Sequence, residues 1–588
     1  MAVPEDILKK LAAAEGNVRA QSVITAEFAI SVRPAASRNK LRTTLDAATV
    51  LRWFDPQLLG SVLSVDDSEA EERFQSLIDL PFVEHFPGKD ERFRNIHDAT
   101  RLGWRLKLYQ ENREAFRMLS SRAAEYFAAD CSPRGRIERL YHLLGANPGY
   151  GAQELENLNR RWSGSTRPEH QQSLALTVSE LESNAMVSGR ARVEVLLCIA
   201  NVHSIRGEIT NLEKTAGTAL EIAREVGYQS GVARALALFG DAARGQKTLQ
   251  IASSAFEEYY SLSKSLSEGW QREWAVANIK LGGVSQAQGD FPTALSKFDE
   301  AVVIFTRLLE ADPNNTDWER HLAVTQSRIG DVLEAQGRFT EALAAFTEHL
   351  NITSRLSKDD PSNLACKREV GAAHIKIGDI FKTQGNLATA FSSFERSVAI
   401  FREIVEEDSS NAARQQDLAI AHSRIGGVFE AQKNYPAALV EFTEYLDIVR
   451  ELCDTDPFNL IRQRELAVAH SRIGDVFRAQ QNLAAASTAY AEDLTISRRL
   501  AGSDRANIAW QRDVAVTLIK LYQCEDTPTG LVRLHEAEQI LSAVVAKAPN
   551  HVIWNNELGQ VRELIAAADG KLSEEIAPVT ETQRIQGF

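Results

Sequence analysis

Between Trp270 and Leu521 the sequence returns on itself every 48 residues, and that period restricts the fold more than any other property of the chain. Trp270, Trp318, Cys366, Arg414 and Arg462 open successive copies, and Trp510 opens a partial further one. The same interval separates Gly282, Gly330, Gly378, Gly426 and Gly474, and again Phe298, Phe346, Phe394, Phe442 and Tyr490. The aspartates Asp312, Asp360, Asp408, Asp456 and Asp504 repeat likewise, each followed three residues later by asparagine. Self-similarity at periods of about 20–50 residues marks a stacked solenoid, whose units bury their apolar faces against one another. Such a fold offers a long surface rather than a pocket, so protein binding is the first expectation.

One copy shows what each unit is. Trp318, Leu322, Gln326, Ile329 and Leu333 step by four, four, three and four, which is one stripe of an α-helix. Gly330 at its edge admits a close neighbour, and Gln336-Gly337 supplies a C-terminal stop. Ala342, Leu343, Phe346, Leu350 and Leu356 form a second apolar stripe, ended by Asp359-Asp360-Pro361-Ser362-Asn363. Each unit is therefore a helix–turn–helix hairpin.

Composition excludes several classes. The 588-residue chain is 44% apolar and 25% charged, ordinary values for a soluble protein and too long for one core. A net charge of −14 disfavours general nucleic-acid binding. The five cysteines are odd in number and scattered, so neither a disulfide framework nor a zinc site is indicated, and a reducing cytosol is expected. MAVPEDILKK lacks an apolar run behind its charges, so no secretory signal is expected there. No apolar run reaches the roughly 18 residues that cross a bilayer. HExxH, GxSxG, the dinucleotide glycine set and the EF-hand loop are all missing, so no enzyme, metal or cofactor is expected.

The paired columns Ile329-Gly330 with Ala342 and Phe346, and Ile377-Gly378 with Ala390 and Phe394, resemble the tetratricopeptide repeat. The units here are longer than that family's 34 residues. The resemblance implies an all-α, right-handed solenoid of helix-turn-helix repeats with a concave groove lined by the first helices. Five regular repeats are expected over 270–522, looser ones over 191–269 and capping helices over 523–570, followed by a disordered tail over 571–588.

Residues before the repeats read differently. Short helices at Ala47–Phe54, Pro56–Leu63 and Glu69–Leu80 precede Pro81–Phe86, a turn at Pro87–Asp90 and Arg92–Ile96. Three helices and a hairpin are the pattern of a winged helix, expected over 45–130 between a helical segment (1–44) and a helical connector (131–190). Ile96-His97-Asp98 resembles the MHD motif of STAND-type signalling NTPases, the relatives of plant immune receptors, in which the histidine senses ADP and helical repeats often follow. Yet no GxxxxGK[ST] phosphate loop occurs, which removes the main source of nucleotide-binding energy. His97 is thus expected to be structural. The resemblance implies a bacterial signalling or defence system whose partner is an effector protease or NTPase, or a split switch whose phosphate loop lies on another chain.

Two basic columns run along the first helices. Arg272, Arg320, Arg368, Arg464 and Arg512 form one, interrupted by Gln416; Lys280, Arg328, Lys376, Arg424, Arg472 and Lys520 form the other. On the helical wheel Arg320 lies nearly opposite the buried stripe and Arg328 about 80° further round. The resemblance places such a face in the concave groove. Arg320, Ser327, Arg328, Asp331, Arg368, Lys376, Asp379, Arg424, Arg464, Ser471, Arg472 and Asp475 are accordingly expected to contact a partner segment. The competing expectation is internal pairing at i,i+3, as in Lys376 with Asp379. His374, His422 and His470 also repeat, but on different hairpins, so they are expected in the core rather than around one metal ion. The basic run Arg92, Arg94, Arg101, Arg105, Lys107, Arg113, Arg117 and Arg122 keeps a DNA-reading regulator as the alternative, although the expected recognition helix begins Glu69-Ala70-Glu71-Glu72.

Overall fold

The computed structural model describes residues 4–87, 91–163, 168–265, 269–409, 411–505, 507–525, 527–547 and 552–576. It divides into two compact units, Met1–His321 and Leu322–Phe588. Among the described residues the chain is all-α apart from one small hairpin.

The first unit runs α1 (Glu5–Ala13), α2 (Val18–Ser31), α3 (Ala35–Val50), α4 (Pro56–Leu63), α5 (Asp67–Ile78), β1 (Val83–His85), β2 (Arg94–Ile96), α6 (Asp98–Glu111), α7 (Arg113–Tyr126), α8 (Pro133–Ala146), α9 (Pro148–Ser163) and α10 (Pro168–Ser183). The strands pair antiparallel, with Glu84 opposite Asn95. Ala47–Phe54 is not a separate helix. α3 ends at Val50, and Phe54 instead exchanges two backbone hydrogen bonds with Arg94, at 2.8 and 2.9 Å. Pro56 is the reason: it opens α4 and keeps Asp55 extended, so the chain enters that helix from a strand-like run. Of the expected turn, Gly88 to Asp90 lie outside the described residues. Three hairpins follow, α11 (Gly189–Ile205) with α12 (Ile209–Glu225), α13 (Gln229–Gly245) with α14 (Leu249–Ser265), and α15 (Gln271–Ala287) with α16 (Phe291–Ala311).

The division between units falls inside α17 (Thr316–Ala335). Its partner is α18 (Phe339–Asp359), and then come α19 (Leu364–Thr383) with α20 (Leu387–Glu407), α21 (Ala412–Ala431) with α22 (Tyr435–Thr455), α23 (Leu460–Ala479) with α24 (Leu483–Ser503), and α25 (Ile508–Tyr522) with α26 (Thr527–Lys547), closed by α27 (Val552–Ile576). The tail expected from Lys571 is helical as far as Ile576, because α27 simply continues; residues 577–588 lie outside the described residues.

Each repeated column has a job in the hairpin. A Cβ placed on Gly330 would stand 2.4 Å from the Phe346 ring; the figures for Gly378 with Phe394 and Gly474 with Tyr490 are both 2.5 Å. Glycine and aromatic columns are thus two halves of one contact, a ring lying on bare helix backbone. Phe346, Phe394 and Tyr490 are fully buried there. The linker asparagines cap the next helix: Asn363 accepts from Cys366 N–H, Asn459 from Arg462 N–H and Asn507 from Trp510 N–H. Asn315 and Asn459 also donate to Asp312 and Asp456, which fixes the aspartate column. Gly289, Gly337 and Gly385 turn the hairpins α15–α16, α17–α18 and α19–α20 with φ between 73° and 80°.

Candidate binding groove

Members of both basic columns form ladders of ion pairs between neighbouring hairpins. Lys376 pairs with Asp331 at 2.8 Å, Arg424 with Asp379 at 2.9 Å and Lys520 with Asp475 at 2.8 Å. Each reaches back 45 residues. Lys520 also donates to Ser471 at 2.9 Å. The expected i,i+3 pairing of Lys376 with Asp379 is therefore corrected: the carboxylate projects towards the following hairpin and meets that hairpin's cation. The other ladder reaches forward, with Arg368 donating to Asp417 at 2.9 Å, Arg464 to Asp513 at 2.7 Å and Arg512 to Glu557 at 2.9 Å. These hydrogen bonds push the Arg368, Arg464 and Arg512 guanidiniums above their ordinary value. Burial raises Asp379 despite Arg424.

The expected contact residues share an equivalent surface rather than one pocket. Arg464, Ser471, Arg472 and Asp475 come together in a cleft of about 350 Å³ between α23 and α25, floored by Asp493 and Ser497 of α24. Arg328, Asp331, Arg368, Lys376, Asp379 and Arg424 occupy the matching positions of α17, α19 and α21, with Ser327 half-buried beside Arg328. Arg320, half-buried in α17, is engaged by a partner. Arg328 and Arg472 are exposed and make no ion pair or hydrogen bond among the described residues.

Two features of this surface escaped sequence reasoning. Midway between the ladders runs an apolar row, Val324, Ala372, Ile420, Val468 and Val516, of which Val324 and Val468 are 39% and 38% exposed. Its signal is plain in hindsight: it stands four residues after one basic column and four before the other. The second feature is Asp493, which is buried and accepts from Ser497 at 2.8 Å and Thr517 at 2.9 Å. Burial raises its carboxyl. The repeated histidines do not converge. His422 is buried against Glu441 of the following helix, at 2.7 Å, while His374 and His470 are half-buried, their pKa values lowered by desolvation.

Two members of the first unit's basic run turn inward, while Arg92, Arg113 and Arg117 stay exposed. Arg101 and Arg105, 5% and 1% exposed, both donate to Glu180, at 2.9 and 2.8 Å, and Tyr141 donates to the same carboxylate. Burial works to raise Glu180, but the two guanidiniums outweigh it and hold it below the usual range. Burial also pulls Arg105 down to about 10. Their i,i+4 spacing, shared with the buried Trp104 and Leu108, could have shown that these arginines face the core. His97 is exposed, and Asp98 pairs with Arg101 at 3.0 Å. Arg73, the base on α5, is held by Glu69 at 2.8 Å.

No protein-family model matches the sequence, and no curated protein matches it. Among solved structures the chain is similar to RapI in its apo form, at 16% identity over 68% of this chain and 99% of that one, with a TM-score of 0.46. It is similar to a STAND protein with a tetratricopeptide repeat sensor from Pyrococcus horikoshii, at 11% identity over 81% and 67%, TM-score 0.46. It is also similar to BtubC from P. vanneervenii, at 16% identity over 42% and 92%, TM-score 0.35. Among the described residues no helix is long and apolar enough to cross a membrane.

Proposed function

We propose that this chain is a non-catalytic protein-interaction scaffold or sensor whose repeats take a segment of a partner protein along the surface edged by the two ladders. The observation that carries this reading is the apolar row between them, whose Val468 and Val516 line the cleft beside Arg464, Arg472 and Arg512. A surface that alternates exposed apolar side chains with fixed cations suits a segment alternating apolar and acidic residues. The ladder pairs hold Arg464 and Arg512 in place beforehand, which lowers the entropy lost on binding. In the same proposal residues 45–130 form a winged-helix-like module, 131–190 a connector and 191–522 the repeats, within a bacterial signalling or defence system. The partner is a protein rather than DNA, because α5 begins with Asp67 and Glu69 and its Arg73 is already engaged.

Capture from a native lysate, with mass spectrometry, tests this. The combined Arg320→Glu, Arg368→Glu and Arg464→Glu variant and, separately, Val468→Lys should each lose the protein that the wild type enriches, with helicity unchanged. Undiminished capture by both variants rejects the groove.

A further inference from the structure

The backward-reaching column has no acid 45 residues before Arg328 or Arg472: that position is Gly283 for Arg328 and Gly427 for Arg472. Lys376, Arg424 and Lys520 each meet an aspartate 45 residues earlier. The residue 45 before Arg472 is Gly427, and Arg472 is left exposed with no ion pair or hydrogen bond among the described residues. A second cation adds to it. Lys382 of α19 lies against that glycine, its Nζ 2.6 Å from where a Cβ would stand, and it too has no ion pair or hydrogen bond there. Of the acids near Lys382, Asp379 is bound to Arg424 at 2.9 Å, and Glu430 makes no ion pair among the described residues. Burial lowers the Lys382 pKa, and Arg472 and Arg424 lower it further against the opposing pull of Asp379 and Glu430, so three cations share two carboxylates at this step.

Packing does not ask for glycine here. Its neighbour Gly426 is required by the Phe442 ring, whereas a Cβ on Gly427 would meet only the movable end of Lys382. A helix-interior glycine costs about 1 kcal/mol against alanine. The position thus bears a cost and leaves cations in excess of carboxylates, with no gain inside the hairpin stack.

We propose that the notch over Gly427, walled by Lys382 and Arg472, receives an aspartate or glutamate side chain of the partner segment, which supplies from outside the carboxylate that Asp331, Asp379 and Asp475 supply within the chain. This rests on the groove reading above. A carboxylate is the chemistry to expect, because the steps at Lys376, Arg424 and Lys520 are each built around one. Arg472 lies on the wall of the cleft that holds Val468, so the acid would be presented next to the apolar row.

The test uses the full chain and a fluorescein-labelled, C-terminally amidated peptide of alternating valine and glutamate, read by anisotropy, beside its glutamine twin. The wild type should bind the acidic peptide about tenfold or more tightly than the twin, the worth of one charge-assisted hydrogen-bonded contact. Gly427→Asp should fill the notch from within, weaken the acidic peptide by about the same factor and raise the thermal midpoint; Gly427→Ala should keep the binding. Arg472→Gln, which leaves the helix packing alone, should weaken it likewise. Equal binding of both peptides, no binding of either, or affinity unchanged in Gly427→Asp and Arg472→Gln overturns the notch. Complete displacement by millimolar phosphate or acetate also overturns it, since that describes an inorganic anion site. If Arg368→Glu with Arg464→Glu abolishes binding while Gly427→Asp does not, the groove stands and the notch falls.

Discussion

The helices up to Ser183 and the hairpins after Thr316 treat charge in opposite ways. In the first region Arg105 and Glu138 are almost wholly enclosed, and Glu180 gathers Arg101, Arg105 and Tyr141 from helices far apart in sequence. In the second, the ladder pairs sit at half-exposed edges, as in Lys376 with Asp331, at 40% and 21% side-chain exposure. A fold without repeats can concentrate its ions in one enclosed knot, because that knot is built once. A stack must reproduce every contact at each step, and a buried ion pair at each would multiply a desolvation cost of several kcal/mol. So the repeats bury rings on glycines and leave their ions at the rim, where a partner can reach them.

The sharpest way to break this contrast is to open the knot. Glu180→Ala leaves two enclosed guanidiniums without a carboxylate and should cost about 3–5 kcal/mol, against little for any ladder residue. Hydrogen exchange across α6, α8 and α10 should accelerate while α19–α24 stay protected; equal loss in both regions would defeat the contrast. The same group sets a pH dependence. Glu180 is held below its ordinary 4.5, so its contribution is present above about that value and fades as pH falls through the depressed native value. Protection of α6 in the wild type should therefore fall on acidification below about pH 4.5, and Glu180→Gln should flatten that slope.

Next in size is the ring contact that the hairpins share. Gly378→Val drives a branched side chain into Phe394 and should cost about 1–3 kcal/mol by overpacking, with the loss spreading to α19 and α20 in exchange measurements. Gly427→Ala, on α21 one residue past the equivalent of Gly378 and facing only Lys382, should instead be neutral or stabilising. If both glycines respond alike, the pairing of glycine and aromatic columns is not what holds the hairpin.

How far these features were legible follows from the same contrast. Repetition made the hairpins readable: Gly330 and Phe346 are local in sequence, recur in register and mean one thing each time. The direction of the ladder pairs was not readable from one helix, because Asp379 is three residues from Lys376 along the chain yet faces Arg424 of the next hairpin. The end of α3 was misplaced because Leu51-Arg52-Trp53-Phe54 carries no helix breaker of its own; the extended run is dictated by Pro56 and by Arg94, forty residues on from Phe54. The buried knot was hidden because two arginines of the basic run, Arg101 and Arg105, are matched by Glu180, which no local pattern connects to them.

Smaller still is the worth of a ladder step. Asp331→Ala removes a half-exposed pair and should cost no more than about 1 kcal/mol, less at high salt. An effect above that in thermal unfolding would mean that the ladders carry the stack, and that the rim is not spare for a partner.

The smallest expected effect separates hairpins within the array. Gly337 and Gly385 turn theirs at φ 73° and 78°, but Lys433 and Gln481 hold the same left-handed place at φ 60° and 62°. A side chain there costs about 1–2 kcal/mol of crowding. Glycine avoids that crowding but gives back about 0.5–1 kcal/mol in chain entropy. The net gain for Lys433→Gly or Gln481→Gly should be about 0.5 kcal/mol, a rise in denaturation midpoint with unchanged slope. A loss instead would show that the Lys433 or Gln481 side chain makes a contact worth more than the strain it imposes, and the later hairpins would then differ from the earlier ones in kind.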